Sequence, residues 1–471
     1  MKKSSCFLFA FLLVIFFHFT ACQAEPGDMS AASSGLSKVS SSQAELPSSP
    51  ESAVSSTLAE LDAPEPTERE KLWLEDLEYF KKTYVKKHKD PFYYVSKEEL
   101  DWEFKQLAQR LSALSDTDVY FELAKIVAGF KDLHTSISPT ESIYTTIFPI
   151  SVKYFGDKLY LCGYLEEFEE LAPYLLHEIV SVNGIDIQYL RKKAESITDP
   201  VNAWRSKEVF TSTYFTPAFL EWAGCDATNG YEFQFLDDEQ QVVSVAMPTI
   251  TQDAPLSGVR VLPENWEKLH FPNRESRVEC VQGEGNASCV IISFGQNLTE
   301  DLAFYEGLFE SVAALLEEHP EAKVLIDLRD NGGGWTSPVQ YIRLCAEILT
   351  RSRVPELYVA TNGLTASAAT NTLLFFKESM NAIQIGEPTG QFSLYFCGDM
   401  GGRILPNSKI PFRVSPNWED VNESIAPPAL YDENGKLYDW ENTILPDVYV
   451  SQDIEDVKAG RDSVIEWVLG H

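Results

Sequence analysis

Apolar residues recur at helical spacing from Thr67 onward. In "EREKLWLEDLEYFKKTYVKKH", Leu72, Leu74, Leu77, Phe80, Tyr84 and Val85 form a stripe that predicts an amphipathic helix. Ser96, with Glu99 three residues on, has the reciprocal capping pattern and predicts a second helix to about Leu114. "SDTDVYFELAKIVAGF" predicts a third, and the block closes at "KDLHTSISP". From Ser142 to about Gln282 the pattern is mixed. "FPISVKYFGDKLYLCGYL" alternates and predicts strands. "EIVSVNGIDIQYLRKKAESI" predicts strand, Asn-Gly turn, strand and helix, and "YEFQFLDDEQQVVSVAMP" a hairpin.

From Ser288 the rhythm becomes β/α. "CVIISF", "AKVLIDLRD", "PELYVAT" and "NAIQIGEP" are apolar runs of strand length, separated by the helical stretches "LTEDLAFYEGLFESVAALLEEH", "SPVQYIRLCAEILT" and one ending near Ser379. Such alternation predicts parallel strands covered on both faces.

The first 66 residues predict no fold. Lys2 and Lys3 precede an apolar run, Phe7 to Phe17, and then Phe19-Thr20-Ala21-Cys22. The run is shorter than the ~20 residues a spanning helix needs, and the arrangement is that of an export signal. The tetrapeptide looks like a bacterial lipobox with Cys22 lipidated, although Phe19 stands where Leu is preferred. This predicts a protein on the outer side of the cytoplasmic membrane of a cell envelope, held there by a lipid anchor; ordinary secretion is the alternative. Residues 23–66 are Ser, Ala, Glu and Pro with few large apolar side chains, a composition for a flexible tether. The divisions are a leader over 1–21, a lipidated cysteine and tether over 22–66, a helical block over 67–140, a mixed region over 141–285 and a β/α core over 286–471.

The chain carries 71 acidic against 38 basic residues, a net charge of -33, which becomes -33 - 2 = -35 once the leader and its two lysines are removed. That balance argues against nucleic acid as a partner. Six cysteines follow Cys22, with no CxxC pair and no Cys/His spacing for zinc. Cys280 and Cys289 could pair across a short loop, or all six could be buried thiols. No cofactor and no metal is implied.

Two stretches carry candidate chemistry. "LIDLRDNGGGW" is a buried strand ending in three glycines, where backbone N–H groups can approach an oxyanion; a tight strand–helix turn is the plainer reading. "NGLTASAATN" places Ser367 at a helix start. It is either a helix cap or a nucleophile with the Ala368 N–H beside it.

These motifs resemble the S41 peptidases, the C-terminal processing (tail-specific) peptidases with their tricorn-core and retinoid-binding-protein relatives. Asp327 to Gly334, Thr365-Ala366-Ser367-Ala368, Gly386 to Thr389 and Leu445-Pro446-Asp447 occur in the family's order. Asp132-Leu133-His134-Thr135 resembles the motif that ends the family's helical block, and "LLHEIVSVNGIDI" the carboxyl half of a degenerate PDZ module. The resemblance implies an α/β fold, with a ClpP/crotonase-like ββα core, an N-terminal helical subdomain and a PDZ-like α+β middle region. It implies a serine peptidase acting on peptides or proteins, with Ser367 as nucleophile and Gly333 and Ala368 forming the oxyanion hole.

The base departs from the pattern. The family's processing branch carries its lysine twenty-five residues past the serine, and here that residue is Phe392. The tricorn-like branch uses a histidine, which maps to His134, with Asp132, Glu378 and Glu387 as candidate orienting carboxylates. The alternative is an inactive protein on the same fold that binds peptides or other ligands without cleaving them.

Overall fold

The computed structural model describes residues 65–198, 201–269, 276–295, 302–334, 339–392, 394–398, 401–420 and 444–471. The leader, Cys22 and the tether to residue 64 lie outside the described residues, as does Trp335. Among the described residues no helix is long and apolar enough to cross a membrane.

Three helices, Glu68–Lys87, Lys97–Arg110 and Asp116–Ala128, open the described chain. Thr67, Ser96 and Ser115 cap them, and Glu70, Glu99 and Asp118 return to the cap N–H groups, so exposed amides are satisfied by local sequence. Their apolar stripes pack on a middle antiparallel sheet built from Ile150–Phe155, Lys158–Leu165, Glu178–Val182, Tyr231–Leu236, Val242–Met247 and the short Arg260–Val261. The expected turn is Asn183-Gly184, both at positive φ (48° and 75°), as a two-residue hairpin needs. Helices and middle sheet share one apolar cluster, in which the Phe121 ring meets Tyr144, Phe219 and Trp222.

The β/α core is a six-stranded sheet in chain order: Arg277–Gln282, Ser288–Ser293, Lys323–Asp327, Leu357–Thr361, Ile383–Gly386 and Val448–Tyr449. The first pair is antiparallel and the rest are parallel. Helices Leu302–Glu318, Val339–Arg351 and Ala368–Met380 make the crossovers and cover the face bearing Val290, Ile292, Val324, Ile326 and Val359. Crossovers of one hand along a sheet laid in chain order put every helix on the same side. The other face, with Ile291, Leu325 and Ala360, packs against the C-terminal helix Ser463–Gly470. Both faces are thus covered, which is why these strands read as unbroken apolar runs.

Among the described residues, Cys162, Cys225, Cys280, Cys289 and Cys345 are free thiols. Cys280 pairs in register with Val290 and Cys289 with Val281, one position apart on neighbouring strands. Side chains alternate faces along a strand, so the two sulfurs point to opposite sides of the sheet and cannot bridge.

After Ile383–Gly386 the chain leaves the core. Arg403–Ile404 and Pro411–Arg413 form a small sheet with Ser136–Ile137, at the end of the helical block. Leu405, Ile410, Phe412 and Val414 enter the N-terminal apolar cluster. Asp76, fully buried on the first helix, anchors the excursion by accepting the Asn407 and Ser408 N–H groups at 2.8 and 2.7 Å. Sequence patterning misses this excursion because its strands are too short to show a period.

Candidate active site

Two neighbouring strand ends build one side of the site. Asp330 and Asn362 exchange hydrogen bonds: Asn362 Oδ1 accepts the Asp330 N–H at 3.0 Å, and Asn362 Nδ2 donates to Asp330 Oδ1 at 2.7 Å. Thr365 Oγ1 donates to the Leu328 carbonyl at 2.8 Å, and the Ala366 N–H donates to the Asn331 carbonyl at 3.1 Å. Asp330, Asn331, Asn362 and Thr365 are all buried. Buried polar groups that are satisfied this fully rigidify a loop.

This hydrogen-bond network holds Ser367 at φ 54° and ψ -126°, a conformation that costs an L-residue about 1–3 kcal/mol. Ser367 occupies the cap position of helix Ala368–Met380, yet its side chain makes no capping bond. Its Oγ lies instead 3.4 Å from His134 Nε2, across 233 residues of chain. Its N–H donates to the Gln391 carboxamide oxygen.

Gly333, at φ 103°, packs directly against this serine. A Cβ there would lie 2.6 Å from Ser367 Cβ and 2.9 Å from both the Ala366 carbonyl oxygen and the Ala368 nitrogen, so only glycine fits. The motif resemblance implies this amide in an oxyanion hole. The Gly333 N–H donates to Asn331 Oδ1 at 2.9 Å, so it is already spent inside the turn.

The histidine side is assembled from distant segments. His134 follows the third helix and is half-buried. Asp132 holds its backbone rather than its ring: Oδ1 accepts the His134 N–H at 2.9 Å, and Oδ2 faces His88 Nε2 at 3.1 Å. Thr135 shares a hydrogen bond with Ser415 on the returning excursion. Burial would raise the Asp132 carboxyl, but His88, the nearby His134 and the Thr135 and Ser415 hydroxyls outweigh it and keep it ionised. Burial pushes the His134 imidazole below its ordinary 6.5, helped by the Arg205 and Arg413 cations; Asp132 and a hydrogen bond to the Phe396 backbone oppose this. The ring is therefore neutral near pH 7, the state in which Nε2 can take a proton.

The other carboxylates considered from sequence lie elsewhere. Glu378 is exposed on the helix that follows Ser367. Glu387 accepts from Ser451 Oγ at 2.9 Å; burial and the neighbouring Glu208 raise its carboxyl. Phe392 is buried and has no proton-accepting atom. Lys153 lies 3.9 Å from Asp330 Oδ1, but Glu208 at 3.0 Å and Asp330 overcome its burial and hold it protonated, unfit as a base. Sequence reading overlooked Asn331, Asn362, Asp132's backbone role and Gln391. The Asp/Asn residues at strand ends were the available signal, since these side chains bind turn amides.

No protein-family model and no curated protein sequence matches the chain. Among solved structures, mature CPAF complexed with lactacystin aligns over 85% of this chain and 97% of its own, with a TM-score of 0.54 and 12% identity. The chain has an S41-peptidase-like fold. The photosystem II D1 C-terminal processing protease aligns over 86% of this chain and 98% of its own, with a TM-score of 0.36 and 13% identity. A putative S41 protease from Bacteroides fragilis aligns over 69% and 80%, with a TM-score of 0.32 and 13% identity. The alignment with mature CPAF, over 85% of the chain, takes in parts of the helical block, the middle sheet and the β/α core.

Proposed function

We propose that this chain is an exported serine peptidase whose ClpP/crotonase-like core and PDZ-like middle region present a peptide to Ser367. The supporting observation is the 3.4 Å approach of Ser367 Oγ to His134 Nε2, with a neutral imidazole and a serine that declines its cap. Apo sites commonly hold this bond slightly long.

Ser367 Oγ attacks the scissile carbonyl carbon while its proton passes to His134 Nε2. The carbonyl oxygen becomes an oxyanion and accepts a hydrogen bond from the Ala368 N–H. The C–N bond then breaks, His134 returns its proton to the leaving amine, and an acyl-Ser367 ester remains. Water attacks that ester, giving a proton to His134; the acyl C–Oγ bond then breaks, His134 returns the proton to Ser367 Oγ, and the acid is released. The Gly333 N–H joins only if Asn331 releases it. Lipidation of Cys22 would hold the enzyme on the outer face of the cytoplasmic membrane, with residues 23–66 as spacer; plain secretion is the alternative.

A fluorophosphonate serine probe tests the reading. The mature protein should become labelled, and S367A should abolish the label. No labelling between about pH 6 and pH 9 would favour a non-catalytic peptide- or ligand-binding lipoprotein on the same fold.

A further inference from the structure

An oxyanion of this kind is usually held by two donors, and the backbone supplies fewer than the sequence motif promises. The Gly333 N–H is taken by Asn331 Oδ1 at 2.9 Å, and the Ser367 N–H by Gln391 Oε1. We propose that Gln391 is a further catalytic residue, its Nε2 serving as the second oxyanion donor beside the Ala368 N–H. This rests on the reading of Ser367 as nucleophile.

Gln391 is 1% exposed. Its oxygen accepts from the Ser367 N–H, which fixes which end of the carboxamide faces the serine. Nε2 hangs on the same carbon and so lies beside the Ser367 backbone. It is buried and has no hydrogen-bond partner among the described residues. A buried primary amide without an acceptor is rare, and it is accounted for when the acceptor arrives with the reacting substrate.

The segment is also held in place. The Thr389 carbonyl accepts from Asn202 Nδ2 at 2.8 Å, the Thr389 N–H donates to Ile444 at 3.2 Å, and the Gly390 N–H donates to the Thr365 carbonyl at 2.9 Å. Phe392, next in sequence, is also buried. In the tetrahedral intermediate Nε2 donates to the new O⁻ without transferring its proton, and Oε1 keeps the serine elbow in place. Thus the residue before the missing lysine's position supports the oxyanion, while His134 handles the proton.

The test is the second-order rate of fluorophosphonate labelling, because the probe's phosphonyl oxygen stands where the oxyanion forms. Gln391→Glu keeps the acceptor for the Ser367 N–H and removes both Nε2 protons. It should label about 10²–10³-fold more slowly than wild type. A purely structural Gln391 predicts near-wild-type labelling for Q391E, so a rate within about threefold of wild type overturns the proposal. Gln391→Met fills the same space without charge and should lose labelling comparably; a near-wild-type rate there overturns it equally, even if Q391E does not fold. Wild type that labels while S367A does not leaves the Ser367 reading standing whatever Q391E does. Wild type that never labels removes both.

Discussion

Ser367 sits in a loop whose hydrogen bonds stay almost wholly within the β/α core, whereas His134 sits on a junction whose partners arrive from distant segments. On the serine side, Leu328, Asp330, Asn331, Asn362, Thr365 and Gln391 lock one another through buried bonds between adjacent strand ends. On the histidine side, His88 comes from the end of the first helix and Ser415 from the excursion that leaves the core and returns. The first arrangement follows once the parallel sheet forms. The second needs the helical block, the middle sheet and residues 403–415 docked together. The Ser367 side is therefore preorganised locally, and the His134 side is delivered by packing.

Removing the delivered half has the largest expected effect. His134→Ala should slow fluorophosphonate labelling by about 10²–10⁴-fold while leaving the melting temperature near that of wild type, because the core does not depend on the ring. Labelling that survives would place the base elsewhere. The serine half should break differently. Arg329 is buried and donates to Asp327 at 2.7 Å and to Asp462 at 2.8 and 2.9 Å, tying the strand beneath the glycine turn to the cap of the C-terminal helix. Both partners are buried carboxylates, so Arg329→Ala strands two negative charges and should cost about 3–5 kcal/mol of stability, measured by chemical denaturation.

A smaller effect separates docking from chemistry. Asp76→Ala leaves the Asn407 and Ser408 amides without their buried acceptor and should cost about 1–3 kcal/mol. It should also slow labelling, since it loosens the excursion that carries Ser415 toward His134. Lost stability with an unchanged labelling rate would mean that the histidine junction holds itself. The mildest change is Asp132→Asn. Asp132 raises the basicity of His134, so its loss lowers the imidazole further below 6.5. The unprotonated form then persists to lower pH, and the ascending limb of the labelling-rate profile should move to the acid side. Movement to higher pH would contradict the electrostatic assignment.

Much of this was legible in advance. The apolar stripe from Leu72 to Val85 marked the first N-terminal helix and the Ser96–Glu99 cap the second, the Asn-Gly pair marked its turn, and apolar runs marked the parallel strands. These features act over a few residues, so local composition carries them. The Arg403–Arg413 strands were not visible, because two or three residues show no period and their pairing with Ser136–Ile137 is non-local. That Gly333 packs against Ser367 agrees with the motif order, whereas the direction of its N–H depends on which side chain, here Asn331, reaches it first.

By itself the sequence determined most of the elements, the order of the S41-like motifs, the position of Ser367 at a helix start and a phenylalanine at 392. Hydrophobic period, turn chemistry and residue identity are properties of neighbours along the chain. Only the tertiary structure decided that the Ser367 hydroxyl leaves its cap for His134, that Asp132 grips backbone instead of ring, and that Gln391 closes on the serine amide. Those outcomes hang on ångström-scale contacts between segments as much as 280 residues apart, as Thr135 and Ser415 are, and only packing brings such segments together.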